Sequence, residues 1–176
     1  MNQVKQKKFA KMREILPVTI LMICIITQVV LTYVLWHNFY DINALAYIGY
    51  SILGLSGVFG ILPIIEFRRK GKVEKGEIYM KTQKIVKTGI FSIIRHPQYF
   101  AGILISLAFA FISQHWVVII LFAPVIPVTQ LDALSANIDL LEKFGDEYEQ
   151  YMFEVPGLNP IKGIIKLIKR KMKKKQ

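Results

Sequence analysis

The segment Arg95-His96-Pro97-Gln98-Tyr99 holds the side chains of this sequence that are best suited to chemistry. It places a guanidinium, an imidazole and a phenol where a basic loop enters a long apolar stretch. The start of a helix has unpaired backbone N–H groups and a partial positive charge, so it favours anionic groups. Proline suits the first helical turn, because its missing N–H has no partner there. The segment therefore predicts a cationic, hydrogen-bonding ligand site at a helix entrance.

The elements that must position this site are apolar runs typical of membrane helices. Residues 16–36 and 44–66 carry no charge before Glu66, and each run is long enough to cross a hydrocarbon core of about 30 Å. A third apolar block is interrupted only by Ser113-Gln114-His115, which predicts two shorter helices, 97–113 and 116–131, joined as a tight hairpin. We therefore predict an all-α integral membrane protein with about four transmembrane helices, forming one membrane domain over residues 1–176.

The basic residues predict the orientation of these spans. The net charge is +11, and Lys and Arg concentrate at the N-terminus, in the loop 68–95 and after Lys162. The connections 37–43 and 113–115 contain neither residue type. By the positive-inside rule, a multi-pass protein with both termini and the long loop in the cytoplasm is expected. Attraction to anionic headgroups explains the charge better than nucleic-acid binding, so membrane lipids are the expected partner and nucleic acid is not.

Cysteine and histidine usage argues against a metal site. Cys24 is the single cysteine and lies inside the first apolar run. The histidines, His37, His96 and His115, are far apart in the chain, and two of them are predicted on the opposite side of the membrane from the third. No metal ligand set is predicted.

The C-terminal part predicts two cytoplasmic amphipathic helices, residues 132–153 and 161–175. Phe144-Gly145 predicts a break within the first of them. In the second, isoleucines recur at helical spacing among lysines, which is typical of a helix lying in the membrane interface. A disordered basic tail is the alternative. Two packing features are also expected: Gln28 facing another helix, and close approach at the glycines Gly54, Gly57 and Gly60.

Three segments in order carry a resemblance to a known family. Ile85-Val86-Lys87-Thr88-Gly89-Ile90-Phe91 leads into Arg95-His96-Pro97-Gln98-Tyr99; Phe144-Gly145-Asp146-Glu147-Tyr148-x-x-Tyr151 follows; and Val155-Pro156 precedes Pro160. Together they make the C-terminal half resemble the isoprenylcysteine carboxyl methyltransferases and their relatives, the phospholipid methyltransferases. The resemblance implies a membrane enzyme that moves a methyl group from S-adenosylmethionine to a lipid-like or small hydrophobic thiol, amine or carboxylate.

The resemblance also implies residue roles. Arg95 and His96 take the catalytic positions, and one of them would hold the methionine carboxylate. The implied cofactor-binding residues are Gln83, Lys84, Ile85, Val86, Phe91, His96, Pro97, Gln98, Tyr99 and Gly102. Methyl transfer from a sulfonium is an in-line displacement that needs alignment and exclusion of water more than acid–base help.

The chain departs from the family pattern at several positions. Ala136 and Asn137 stand where an acidic pair is usual, and residues 131–135 offer no counterpart of an upstream arginine. Phe91 replaces a tyrosine, and Gly102 lies one place later than the expected glycine. These departures leave one alternative open, a catalytically inactive family member acting as a scaffold or ligand sensor. A second alternative is an NADPH-dependent membrane reductase, because the C-terminal part also resembles that of membrane sterol reductases. The oligomeric state and the methyl acceptor are not indicated by the sequence.

Overall fold

The computed structural model describes residues 3–35, 42–72 and 82–173, with side chains from Leu16 onward. Within these ranges the chain is helical, with no strand. The α-helices are α1 (Gln3–Val34), α2 (Asn43–Lys70), α3 (Pro97–Ser113), α4 (Trp116–Phe122), α5 (Val125–Phe144), α6 (Asp146–Glu154) and α7 (Pro160–Lys173), and a 3-10 helix covers Gly89–Ser92. The predicted all-α class is confirmed. His37 and the residues 73–81 and 174–176 fall outside the described part.

Three helical stretches are long and apolar enough to cross a membrane. They are Leu16–Val34, Asn43–Lys70 and Trp116–Phe144. Large apolar side chains on them are exposed, including Ile23 at 59% and Ile61 at 59%. Such exposure is unfavourable in water and favourable in lipid, so the protein is a membrane protein. Helix α3 is apolar but shorter than these stretches, so four spans remain a prediction.

Helix α5 differs from the predicted boundaries. The segment 116–131 is divided at Ala123 and Pro124, and α5 then continues past residue 131 to Phe144. Pro124 has no N–H to continue the helical hydrogen-bond ladder. The Ala123 N–H instead bonds to the carbonyl of Ile120 at 3.1 Å, one residue nearer than in an α-helix. The predicted break at Phe144–Gly145 is confirmed, because Gly145 has a φ of 53° and separates α5 from α6.

The chain forms two compact units. The first contains the described residues up to Ser56 together with Ala101–Ala136, and the second contains Gly57–Phe100 and Asn137 onward, as far as these are described. In the first unit, Gln28 is completely buried and joins α1 to α3 and α4. Its Nε2 donates to the carbonyl of Val118 at 3.0 Å, and the Ser106 hydroxyl donates to its Oε1 at 2.6 Å. The prediction that Gln28 faces another helix is confirmed.

Gly49 lets two helices approach closely. A Cβ there would lie 2.7 Å from Cγ1 of Ile112 and 2.9 Å from the carbonyl oxygen of Ala108, so α2 and α3 make a tight contact at this point. At Gly54 and Gly57, apart from the adjoining backbone of the same helix, nothing in the described part of the chain lies within 4 Å of the position that a Cβ would take. The predicted packing at these two glycines is therefore wrong. Spacing of small residues marks a face of a helix, but not the height at which a neighbour crosses it.

Replacing Gln28 with leucine is expected to destabilise the first unit by about 1–2 kcal/mol, because the Ser106 hydroxyl and the Val118 carbonyl each lose a partner in an apolar interior. Thermal unfolding in detergent, followed by circular dichroism, measures this change. Ser51→Ala is the matched control, since the exposed Ser51 hydroxyl bonds only to the Tyr47 carbonyl of its own helix. Equal midpoints for the two variants would contradict the prediction.

In the second unit, two apolar clusters hold the loop that leads to the candidate site. Val86, Ile90, Phe91 and Ile94 form the first cluster, and the rings of Phe91 and Phe67 stack at 4.5 Å. The second cluster contains Tyr148 and Tyr151 of α6 together with Val155. The Tyr151 hydroxyl donates to the carbonyl of Phe91 at 2.6 Å, which fastens the loop to α6.

Candidate active site

Backbone hydrogen bonds fix the position of Arg95 and His96. The Arg95 N–H donates to the carbonyl of Pro156 at 3.0 Å, and the His96 N–H donates to the carbonyl of Gly157 at 3.1 Å. Helix α3 begins at Pro97, as the sequence predicts, and the Phe100 N–H bonds to the carbonyl of His96 at 3.1 Å. The two reactive side chains are thus held at a helix entrance by the turn that follows α6.

Asn137 is the centre of the side-chain cluster. Its Oδ1 accepts hydrogen bonds from Arg95 Nη1 at 2.8 Å, from His96 Nε2 at 2.8 Å and from the Tyr148 hydroxyl at 2.9 Å. Because arginine can only donate, the amide oxygen of Asn137 must be the atom that faces it. A neutral amide oxygen has two lone pairs for these three donors. The cluster therefore has donors in excess, which suits an anionic ligand.

Burial fixes the protonation state of His96. The side chain is 8% exposed. Burial lowers its pKa from 6.5 to about 4, the Asn137 hydrogen bond opposes this shift, and the Arg95 charge adds to it. The imidazole is thus neutral at physiological pH. Since Nε2 donates to Asn137, the proton resides on Nε2 and the Nδ1 lone pair is unprotonated.

This protonation state predicts a pH dependence of stability. The unfolded chain binds a proton at His96 below about pH 6.5, whereas the folded chain binds it only near pH 4. The free energy of unfolding should therefore fall as the pH drops from 6.5 to 4, by about 3 kcal/mol. Thermal midpoints of the wild type and of His96→Gln across this range measure the effect. The variant should lack this component of the slope, and parallel curves would contradict the assignment.

Arg95 keeps a charge that no carboxylate in the described part of the chain neutralises. The ion pairs among the described residues join Lys70 to Glu66, Lys87 to Glu147 and Arg170 to Glu154, and none of them includes Arg95. The guanidinium lies 5.9 Å from the centre of the Tyr148 ring. Its Nε is buried and has no acceptor among the described residues. A carboxylate at this position would satisfy the Nε donor and pair with the charge.

The remaining predicted cofactor residues fall into separate groups. The Tyr99 ring stacks on His96 with centroids 5.4 Å apart, so it belongs to the cluster. Pro97 is buried and Gln98 is partly buried at the start of α3. Gly102 belongs to the first compact unit. The cluster at the helix entrance therefore brings together Tyr99 with Arg95 and His96.

The loop residues that precede the cluster are arranged differently. Val86 and Phe91 are 5% and 3% exposed, and their side chains pack in the apolar core of the second unit. Ile85 packs against the α6 cluster, whereas Gln83 and Lys84 are exposed. A cofactor contact by these loop residues stays a prediction.

Two residues of the cluster were not predicted as functional. In the sequence, Asn137 stands out only as a residue in place of a carboxylate, and Tyr148 only as part of the Phe-Gly-Asp-Glu-Tyr motif. The structure buries both, at 8% and 2% exposure, and joins them by a hydrogen bond. A buried amide needs partners. That requirement was the available signal, but the identity of the partners depends on tertiary contacts.

Comparison with known families decides the relationship. Residues 45–135, just over half of the chain, match the phospholipid methyltransferase family. The chain belongs to this family. The matched segment includes the entrance of α3 with Arg95 and His96, and it ends shortly before Asn137. Comparisons with curated proteins and with solved structures gave no match.

Membership confirms the relationship inferred from the motifs and makes the protein a methyltransferase-type membrane enzyme. Among the described residues, no group of three or more His, Cys, Asp or Glu side chains could hold a metal ion. The matched segment contains Arg95, His96 and Tyr99, and the first two bond to Asn137. The candidate site of this phospholipid methyltransferase family member is the Asn137 cluster: Arg95, His96, Tyr99, Asn137 and Tyr148.

Proposed function

We propose that this protein transfers a methyl group from S-adenosylmethionine to a lipid-like or small hydrophobic acceptor at the cytoplasmic face of the membrane. The observation that carries the proposal is the convergence of Arg95, His96 and Tyr148 on the Asn137 oxygen. This cluster is positioned at the start of α3, inside the segment that matches the methyltransferase family. S-adenosylmethionine would supply an activated methyl group on a sulfonium.

The residues of the Asn137 cluster fit the charges of this cofactor. The unpaired Nε and the positive charge of Arg95 suit the methionine carboxylate. His96 is neutral because burial lowers its pKa to about 4, so it adds no second positive charge that would repel the sulfonium. Asn137 accepts a hydrogen bond from Arg95 but, being neutral, leaves its positive charge in place. A carboxylate at the same position would neutralise that charge. The cluster can therefore bind the cofactor although the acidic pair is replaced.

The chemistry required of the protein is mainly positioning. In such a transfer the acceptor atom would form a bond to the methyl carbon while the carbon–sulfur bond of the cofactor would break, with the bond electrons remaining on sulfur. An amine or thiol acceptor also loses a proton, which passes to solvent, because His96, whose pKa is lowered by burial to about 4, is too weak a base to hold it at neutral pH. We assign binding and alignment to Arg95 and His96, with Tyr99 packing beside the imidazole.

The family and the missing arginine support one order in which acceptor classes are tested. Residues 131–135 contain no arginine to pair with a prenylcysteine carboxylate, which disfavours that acceptor. A phospholipid amine is the first class to test, followed by lipophilic thiols and carboxylates. The charge distribution of the loops supports a multi-pass arrangement with the site and both termini on the cytoplasmic side, where the cofactor is made available.

Calorimetric titration of the full chain in nanodiscs with S-adenosylmethionine and S-adenosylhomocysteine tests the proposal. We expect micromolar binding of both, strongly weakened in His96→Ala. Incubation with methyl-labelled cofactor and phospholipid should then label a lipid product. Absence of binding at millimolar cofactor would overturn the enzyme proposal, and the non-catalytic scaffold would replace it.

A second variant tests whether the replacement of the usual carboxylate by Asn137 would account for a lack of cofactor binding. Asn137→Asp keeps the side-chain shape and places an acid among the three donors. If only Asn137→Asp binds the cofactor, the natural chain has lost binding through this substitution. If the wild type binds at least as well as the variant, the neutral amide is part of a working site.

A further inference from the structure

Helix α7 is attached to the second unit by one face. The backbone at Gly163 lies directly against the carbonyl of Ile93, so closely that a Cβ at this position would overlap the carbonyl oxygen. Arg170 donates from Nη2 to the carbonyl of Ser92 at 2.8 Å and from Nη1 to the Glu154 carboxylate at 3.0 Å. These contacts place Gly163 and Arg170 on the side of α7 that faces the protein.

The opposite side of α7 is apolar and exposed. At about 100° per residue, its large apolar side chains point roughly opposite to Gly163 and Arg170. They are Ile161 (72% exposed), Ile164 (46%), Ile165 (50%), Ile168 (52%) and Met172 (57%). A polar environment is unfavourable for such a continuous stripe. This apolar stripe therefore requires a partner that offers an apolar surface.

The flanks of the apolar stripe define the charge of that partner. Lys162, Lys169 and Lys173 lie along one edge and Lys171 lies along the other, and α7 contains no acidic residue. A second copy of α7 would oppose lysines with lysines, which is repulsive. A leaflet containing anionic phospholipids offers acyl chains for the stripe and phosphates for both lysine edges, so the charges are complementary.

A cavity beside the C-terminal end of α7 supports this partner. Its volume is about 550 Å³, and its charged lining residues are Lys87, Glu154, Arg170, Lys171 and Lys173. Glu154 is bonded to Arg170, and Lys87 pairs with Glu147 at 3.0 Å. The lysines at 171 and 173 therefore leave a cationic excess in the cavity, which suits a phosphate group.

We propose that α7 is a binding surface for anionic phospholipids. The apolar stripe enters the boundary between headgroups and acyl chains, and the lysine edges and the cavity contact the lipid phosphates. This proposal does not rest on the methyltransferase activity. Because α7 contacts the backbone of Ser92 and Ile93, lipid binding would also brace the segment that precedes Arg95.

The test uses the full chain in nanodiscs of phosphatidylcholine, with or without phosphatidylglycerol. The single cysteine, Cys24, is replaced by alanine, and a fluorophore is attached to Ile168→Cys on the apolar stripe. Nitroxide-labelled lipids should quench this fluorophore about twofold more in the anionic discs, and high salt should remove the difference. A fluorophore at Glu149→Cys, on the exposed acidic start of α6, should be quenched equally in both discs.

Two charge variants identify the residues responsible. Replacing Lys169, Lys171 and Lys173 with glutamine should abolish the preference for anionic discs. The same substitution of Arg68, Arg69 and Lys72 removes an equal charge elsewhere in this unit and should preserve the preference. The proposal is overturned if Ile168→Cys is not quenched, if both discs give equal quenching, or if quenching appears only with two copies per disc, which would indicate pairing between proteins.

Discussion

Arg95→Gln should weaken binding of S-adenosylmethionine about 10- to 150-fold, since a charged hydrogen bond contributes roughly 1.5–3 kcal/mol. The expected loss of affinity is large because Arg95 is the cation of the Asn137 cluster. Among the residues that the structure describes, no carboxylate pairs with its charge and no acceptor bonds to its buried Nε. Glutamine retains a donor for Asn137 but removes the charge. Calorimetry on nanodisc-held protein measures the change.

Controls for Arg95→Gln separate charge from geometry. Arg95→Lys retains the charge without the planar guanidinium, so its affinity for the cofactor should lie between that of Arg95→Gln and that of the wild type. Arg69→Gln removes an exposed positive charge at the end of α2 and should leave the affinity unchanged. Thermal midpoints measured without cofactor establish that each variant folds. A folded Arg95→Gln protein with wild-type affinity would contradict the assigned role.

Gly163→Ala should displace α7 from the second unit and destabilise it by about 1–3 kcal/mol. A Cβ at this position would overlap the carbonyl oxygen of Ile93 and lie 2.8 Å from its carbonyl carbon. Both atoms belong to the backbone, so no side-chain rotation relieves the contact. The hydrogen bond from Arg170 to Ser92 should be lost with the displacement. Trypsin cleavage at the lysines of α7 and the thermal midpoint report the change.

Gly54→Ala is the matched control for Gly163→Ala. Gly54 also lies inside a helix, but apart from the adjoining backbone of that helix, nothing in the described part of the chain lies within 4 Å of the position that a Cβ would take. Alanine there should be neutral, or stabilising by up to about 1 kcal/mol, because alanine loses less backbone entropy than glycine in a helix. If Gly163→Ala and Gly54→Ala have the same thermal midpoint and the same rate of trypsin cleavage, the tight contact between α7 and Ile93 is not needed to hold α7 against the second unit.

Local sequence patterns predicted many of the helices and their ends. Long apolar runs predicted α1 and α2, Pro97 predicted the start of α3, and Gly145 predicted the end of α5. These features depend on residues that are close in sequence, through helix length, the missing proline N–H and the positive φ of glycine. The effect of Pro124 was also local, but the hydrophobic run concealed it, so one predicted helix became α4 and the start of α5.

Local sequence patterns predicted only part of the candidate site. The sequence alone determined that this is an all-helical membrane protein, and its Arg-His-Pro-x-Tyr motif indicated where chemistry would occur. The tertiary structure decided what surrounds that motif. It brought Asn137 to Arg95 across 42 residues and Gly163 against Ile93. Helical periodicity specifies which face of a helix is apolar, whereas the partner of that face depends on packing between elements that are distant in sequence.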